Sequence, residues 1–100
     1  MERLEHATIK LIEKEDISGI LFAQHDVIED PVRVRLREIY LQKAETLGNG
    51  YKGKVKMTFV TADGSFMAVR TTIWAADRDH ITLKGGIHIP TRAIIDVEIG

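Results

Sequence analysis

The spacing of hydrophobic residues changes near residue 50. Before that point they recur at steps of three and four residues, which predicts a helix over 31–47. Asp30 is a favourable N-cap, and Pro31 suits the first helical position because its missing N–H costs nothing there. Gly48 offers the left-handed conformation that ends many helices, so we expect the helix to stop by Gly48. The predicted apolar stripe consists of Val32, Leu36, Ile39, Tyr40, Lys43 and Leu47, of which Leu36, Ile39 and Tyr40 are expected to pack against a β-sheet.

Beyond residue 50 hydrophobic residues alternate with polar ones, the pattern of strands with one buried face. One alternating set ends at Phe59 and another begins at Met67, on either side of Ala62-Asp63-Gly64. A three-residue loop places both sets on one face, whereas a two-residue loop would oppose apolar to polar residues. Gly64 also provides the left-handed residue that this loop requires. The predicted buried face of the hairpin consists of Val55, Met57, Phe59, Val69 and Ile73.

The remaining elements are short. Residues 81–84 and 87–89 flank Gly85-Gly86 and predict a second hairpin, and 93–99 predicts the last strand. At the other end of the chain, 7–12 alternates loosely and predicts a short strand. Residues 15–29 fit a helix or a strand, and we predict a helix.

These elements predict a single α+β domain over 1–100. Residues 1–50 form its mostly helical part, an N-terminal strand and helical segment followed by one long helix. Residues 51–100 form an antiparallel β-module of five strands. Short, strongly apolar strands with several turns indicate a small curled antiparallel sheet or a barrel.

The composition indicates the cellular compartment in which we expect the protein. The chain has no cysteine, which excludes disulfides and thiolate chemistry and fits a reducing compartment. It does not begin with a basic stretch and an apolar core, as a signal peptide does, and no apolar run reaches the roughly 20 residues that span a bilayer. We therefore expect a cytoplasmic protein without a membrane partner.

The net charge of −1 conceals a polarity along the chain. Residues 1–30 carry eight acidic and three basic residues, whereas 31–60 carry seven basic and two acidic residues. A basic middle attracts anionic partners such as nucleic acid, but acidic and basic thirds can also face each other within the fold or across a dimer. We favour the second interpretation, because nucleic-acid-binding domains usually show their basic excess in the overall charge.

Motifs for catalysis and ligand binding are absent. The segment Gly48-Asn49-Gly50-Tyr51-Lys52-Gly53 has the spacing of a dinucleotide-binding loop, but a helix precedes it and a strand follows, the reverse of what phosphate binding needs. The four histidines are too widely spaced to predict a metal site, and neither serine lies in a nucleophile elbow. We therefore predict no catalytic residue, no metal, no cofactor and no enzymatic activity.

The outward face of the first hairpin is the candidate binding surface, formed by Lys52, Lys54, Lys56, Arg70 and Trp74. The three-residue loop places Lys56 opposite Arg70, a like-charge pair that requires a nearby anion or carboxylate. It also places Lys52 opposite Trp74, within range of a cation–π contact. Basic strands with an aromatic residue hold single-stranded nucleic acid in many small β-folds. Alternatively, the lysines protect an exposed strand from aggregation, and Trp74 is covered by N-terminal residues or a second subunit.

Residues 31–99 resemble the Sm-like small-barrel family. The resemblance rests on the helix, the strand over 55–60, the Asp63-Gly64 turn, the long strand that ends at Asp77, and Pro90-Thr91-Arg92 before the last strand. It implies an Sm- or SH3-like barrel, assembly into rings and binding of uridine-rich RNA. The family's RNA-gripping Lys-His pair falls on Thr91 and Arg92 here, so the resemblance implies the fold more than the RNA site. Short bacterial proteins are similar to this chain as well and imply no activity.

Two functions therefore remain. We favour a non-enzymatic protein-interaction or self-assembly module, because the chain is charge-polarised and the long strand carries apolar residues on both faces, Phe66 and Trp74 among them. The alternative is an Sm-like nucleic-acid-binding module that uses the basic strand face. The expected partner is another protein or a second copy of this chain, with nucleic acid as the alternative.

Overall fold

The structure is a computed structural model that describes residues 8–51 and 53–100, and its one long helix packed on two small sheets confirms the α+β class. The first part contains β1 (Ile9–Ile12), a 3-10 helix (Lys14–Gly19) and α1 (Pro31–Tyr51). The rest contains β2 (Val55–Val60), β3 (Phe66–Thr71), β4 (Ile73–Ala76), β5 (His80–Leu83), β6 (His88–Pro90), a second 3-10 helix (Thr91–Ala93) and β7 (Ile94–Ile99).

The strands form a four-stranded sheet of order β1-β3-β2-β7 and a three-stranded sheet of order β4-β5-β6. The long second strand of the predicted module is divided at Thr72 into β3 and β4, so it contributes to both sheets. Neighbouring strands are antiparallel except for β1, which runs parallel to β3. In the described part of the chain these sheets are curled but do not close into a barrel.

The hairpin of β2 and β3 has the predicted register. Phe59 pairs with Met67 and Met57 with Val69. Gly64 has a φ of 86°, the left-handed conformation that the three-residue loop requires. The predicted buried face is confirmed, since Val55, Met57, Phe59, Val69 and Ile73 are all buried.

Helix α1 begins as predicted but ends later. The Asp30 carboxylate accepts a hydrogen bond from the Val32 N–H at 2.9 Å, which caps the first turn. The helix then passes through Gly48 to Tyr51, so the predicted end is wrong. Gly48 serves packing instead: a Cβ atom there would lie 2.1 Å from the carbonyl oxygen of Ile73 in β4. Only glycine permits this close approach of the helix to the strand.

The buried face of α1 also differs from the predicted stripe. It consists of Arg37, Leu41, Ala44 and Gly48. Leu36, predicted to pack on the sheet, keeps 37% of its surface exposed, whereas Tyr40 is partly buried against the core. The small residues Ala44 and Gly48 let the helix lie close to β4, and hydrophobicity alone does not mark such a face.

The predicted helix over 15–29 is wrong beyond Gly19. The chain continues without regular secondary structure, and its backbone pairs with the end of β2 around Phe22: the Ala23 N–H donates to the Val60 oxygen at 3.1 Å, and the Ala62 N–H donates to the Leu21 oxygen at 2.8 Å. Further on, the Asp26 carboxylate accepts the N–H of Ile28 at 2.9 Å. Such local side-chain bonds compete with helix formation.

Candidate functional site

The structure brings two residues of the predicted basic face together. Lys56 and Arg70 are direct cross-strand partners on β2 and β3. A carboxylate accompanies them, as their like charges require: the Lys56 Nζ atom lies 3.9 Å from an oxygen of Glu98 on β7. The Arg70 guanidinium donates to the carbonyl oxygen of Gly100 at 3.3 Å. Both cations therefore have partners within the chain.

The other residues of that face lie apart from this pair or outside the described residues. Lys54 is exposed just before β2, and Lys52 lies outside the described residues. Trp74 belongs to β4 in the three-stranded sheet, beyond the last pair of the β2–β3 ladder. It keeps 47% of its surface exposed, so this chain covers about half of the ring system.

Two of the histidines in the described part of the chain contact each other. The rings of His80 and His88, on neighbouring strands, have centroids 4.6 Å apart, and the Nδ1 atom of His80 lies 3.8 Å from a carboxylate oxygen of Asp77. Over residues 8–51 and 53–100, no three side chains of the metal-ligating types come together as a metal site. Thr91 and Arg92 make internal bonds: the Thr91 hydroxyl donates to the Asp77 carbonyl oxygen, and the Arg92 guanidinium donates to the Ala23 carbonyl oxygen.

A buried arginine is the main feature that the sequence interpretation missed. Arg37 lies four residues after Arg33 in the helix, and arginine side chains are mostly exposed in proteins, yet Arg37 is only 3% exposed. Its guanidinium donates to both oxygens of Asp26, at 2.9 and 2.7 Å, and to the Ile94 carbonyl oxygen at 2.9 Å. Its spacing of four, seven and eleven residues from Leu41, Ala44 and Gly48 is the signal that could have placed it on the buried face.

A cavity of about 590 Å³ opens beside this arginine, between α1 and the turn that follows β4. Burial raises the pKa of Asp26, but hydrogen bonds from Arg37 and the Ile28 N–H outweigh it and lower that pKa overall. Backbone hydrogen bonds from His80 and Asp79 lower the pKa of Asp77. A general acid at neutral pH needs a raised pKa. These two carboxyls instead accept hydrogen bonds that fix a loop and a turn.

The two edges of the four-stranded sheet offer backbone groups for pairing. Thr61 donates its N–H to Ser65 at 2.9 Å, so the odd residues of β2 bond to β3 and its even residues point towards β7. In β7, Asp96 and Glu98 are the partners of those even residues. The N–H and C=O groups of Val97 and Ile99 therefore point away from β2, towards the open edge.

The same alternation determines which backbone groups point outward at the opposite edge, which is formed by β1. The even residues of β3 face β1, and Ala68 lies beside Leu11 in a parallel register. Ala68 therefore bonds to the residues on either side of Leu11, and the backbone groups of Leu11 itself point outward. Leu11 is 66% exposed and Ile99 41% exposed, so each open edge carries an uncovered apolar side chain.

Comparisons of the chain with protein-family models, curated proteins and solved structures return no match. No helix in the described part of the chain is long and apolar enough to cross a membrane.

Proposed function

We propose that this chain is a non-enzymatic self-assembly module whose copies join through the open edges of the four-stranded sheet. The observation that carries this proposal is the outward alignment of backbone N–H and C=O groups at Leu11 on one edge and at Val97 and Ile99 on the other. Unpaired strand edges are templates for pairing with another chain. Between residues 8 and 100, Lys52 aside, neither edge has a strand partner.

The sequence features support the same proposal. The absence of cysteine fits an assembly in the cytoplasm, and the Sm-like resemblance implies proteins that work as rings of identical subunits. The nucleic-acid alternative is less supported, because Lys56 and Arg70 already have partners in the chain and Trp74 lies in the other sheet.

A proline at the open edge tests the proposal. Leu11→Pro removes an outward N–H without removing a bond to β3, so the monomer should keep its fold. The matched control Leu11→Val keeps both the N–H and an apolar side chain. In sedimentation velocity, we expect the wild-type chain and Leu11→Val to form multiples of the 11.3 kDa chain as concentration rises, and Leu11→Pro to stay a monomer.

A single 11.3 kDa species at every concentration of the wild-type chain would contradict self-assembly. Fluorescence of Trp74, the only tryptophan, tests the alternative. Quenching by a short uridine-rich RNA that disappears as salt is added would support nucleic-acid binding instead, because phosphate contacts weaken steeply with salt.

A further inference from the structure

We infer that copies of this chain join head to tail, with β7 of one copy beside β1 of the next in a parallel pair that places Leu11 opposite Glu98. This inference rests on the proposed self-assembly and specifies which edges meet. It follows from three features of the edge strands: their direction, which of their residues point backbone groups outward, and which side chains lie on each face.

The directions of the strands agree with this arrangement. β1 is parallel to β3, and β7 is also parallel to β3, because β2 is antiparallel to both β3 and β7. The two edge strands of the sheet therefore run the same way. When a second copy extends the sheet in the same orientation, its β1 lies alongside β7 in parallel.

The outward-pointing backbone groups of the two edge strands are also compatible with this pairing. In a parallel pair, a residue whose groups point towards the partner strand lies opposite a residue whose groups point away. Val97 points outward from β7, so it must lie opposite Lys10 or Ile12 of the next copy. Leu11, which points outward from β1, then lies opposite Glu98 or Asp96.

This pairing also keeps the core-facing side chains of both strands on one face of the extended sheet. Val97 lies in the core, and Ile12 packs against the core beside Val69. Both strands therefore present their core side on the same face of the extended sheet. Asp96 and Glu98 then share the other face with Leu11.

Charge selects between the two possible registers. With Val97 opposite Ile12, Glu13 would follow beside Glu98, and like charges directly across a strand pair are destabilising. With Val97 opposite Lys10, the exposed Ile99 instead meets Ile12, and Glu98 meets Leu11. The second register covers an apolar side chain and avoids the repulsion, so it is the register we infer.

Pairing of β7 with a second β7 is disfavoured because it also places like charges opposite each other. An antiparallel pair would set outward residues such as Val97 and Ile99 opposite each other, so the remaining positions also face each other. In the pair with Val97 opposite Val97, which has maximal strand overlap, Asp96 of each copy would lie opposite Glu98 of the other. The head-to-tail arrangement has no such contact.

Cysteine cross-linking tests the inferred register, and the cysteine-free chain provides a clean background. Leu11→Cys and Glu98→Cys each change one exposed side chain, and directly opposite residues have the separation that a disulfide spans. After mild oxidation, we expect a cross-linked dimer when these two variants are mixed and none when either is oxidised alone. The control is Leu11→Cys mixed with Ile99→Cys, which lies one residue further along β7 and on the other face, and which should not cross-link.

The other outcomes are distinguishable. Cross-linking of Glu98→Cys or Leu11→Cys with itself would overturn the inference in favour of a pair of identical edges, and equal cross-linking with Ile99→Cys would overturn the ordered register. If no mixture cross-links while the wild-type chain sediments as a multimer, the inference fails and self-assembly stands. If the wild-type chain is a monomer at all concentrations, both fail.

Discussion

At Gly48 the backbone of α1 lies so close to β4 that a Cβ atom would stand 2.1 Å from the Ile73 oxygen and 3.1 Å from the Thr72 methyl group. Gly50, two residues further along and on another side of the same helix, has no atom of a packing neighbour within 4 Å of the equivalent position. Two glycines with the same local setting in the sequence therefore have different roles. One permits tight packing, and the other only weakens the helix.

Alanine substitution should separate these roles. Gly48→Ala must push α1 away from β4, and we expect it to lower the free energy of unfolding by about 2 kcal/mol or more. Gly50→Ala adds a methyl group in open space and should raise that free energy by up to about 1 kcal/mol, because alanine favours the helix. Denaturant unfolding measures both values. Equal effects of the two substitutions would show that the helix does not approach β4 this closely.

Arg37 shows why single residues are hard to place from sequence. An arginine next to other charged residues indicates solvent, yet this one is neutralised by Asp26, eleven residues earlier in the chain. That partner lies in an irregular segment whose path depends on pairing with the end of β2, so no local pattern predicts the contact. Removing Asp26 would leave the buried Arg37 charge without its carboxylate, at a cost of up to about 3–5 kcal/mol, which explains why the two occur together.

At the scale of elements, the turns and caps that depend on neighbouring residues are predicted well. The turn at Gly64 and the cap at Asp30 each depend on residues within a few positions, and both are found in the structure. The face of α1 and the path of 15–29 depend on distant neighbours, and both predictions were wrong. The open edges were missed because strand order and the phase of pairing are properties of the whole sheet.

The corrected face of α1 can be tested with two leucines. Leu41 is 2% exposed and lies in the core, so Leu41→Ala should lower the free energy of unfolding by about 2–5 kcal/mol. Leu36 lies on the exposed side, and Leu36→Ala should cost less than about 1 kcal/mol. Thermal or denaturant unfolding of both variants provides the comparison. A larger loss for Leu36→Ala than for Leu41→Ala would restore the face that the apolar stripe predicts.

At the scale of the whole molecule, the acidic residues of β7 decide which edges can meet. Burial, followed by the negative charge of Glu98, raises the pKa of Asp96. A carboxyl with a raised pKa takes up its proton earlier as the pH falls. Asp96 therefore stops repelling a second β7 edge at a higher pH than an ordinary aspartate would.

Removing these charges should allow β7 to pair with itself. Each like-charge contact costs up to about 1 kcal/mol, and a symmetric pair centred on Val97 contains two, so Asp96→Asn with Glu98→Gln should strengthen this symmetric dimerisation at neutral pH by about tenfold. The control, Glu29→Gln with Asp79→Asn, removes the same charge from exposed positions outside the sheet edges. Sedimentation velocity should show dimers of the first double variant at concentrations where the control behaves as the wild-type chain. As the pH falls, the wild-type chain should approach the first variant, because Asp96, once protonated, no longer repels its counterpart. Identical sedimentation of the two double variants would show that these carboxylates do not prevent β7 from pairing with a second β7.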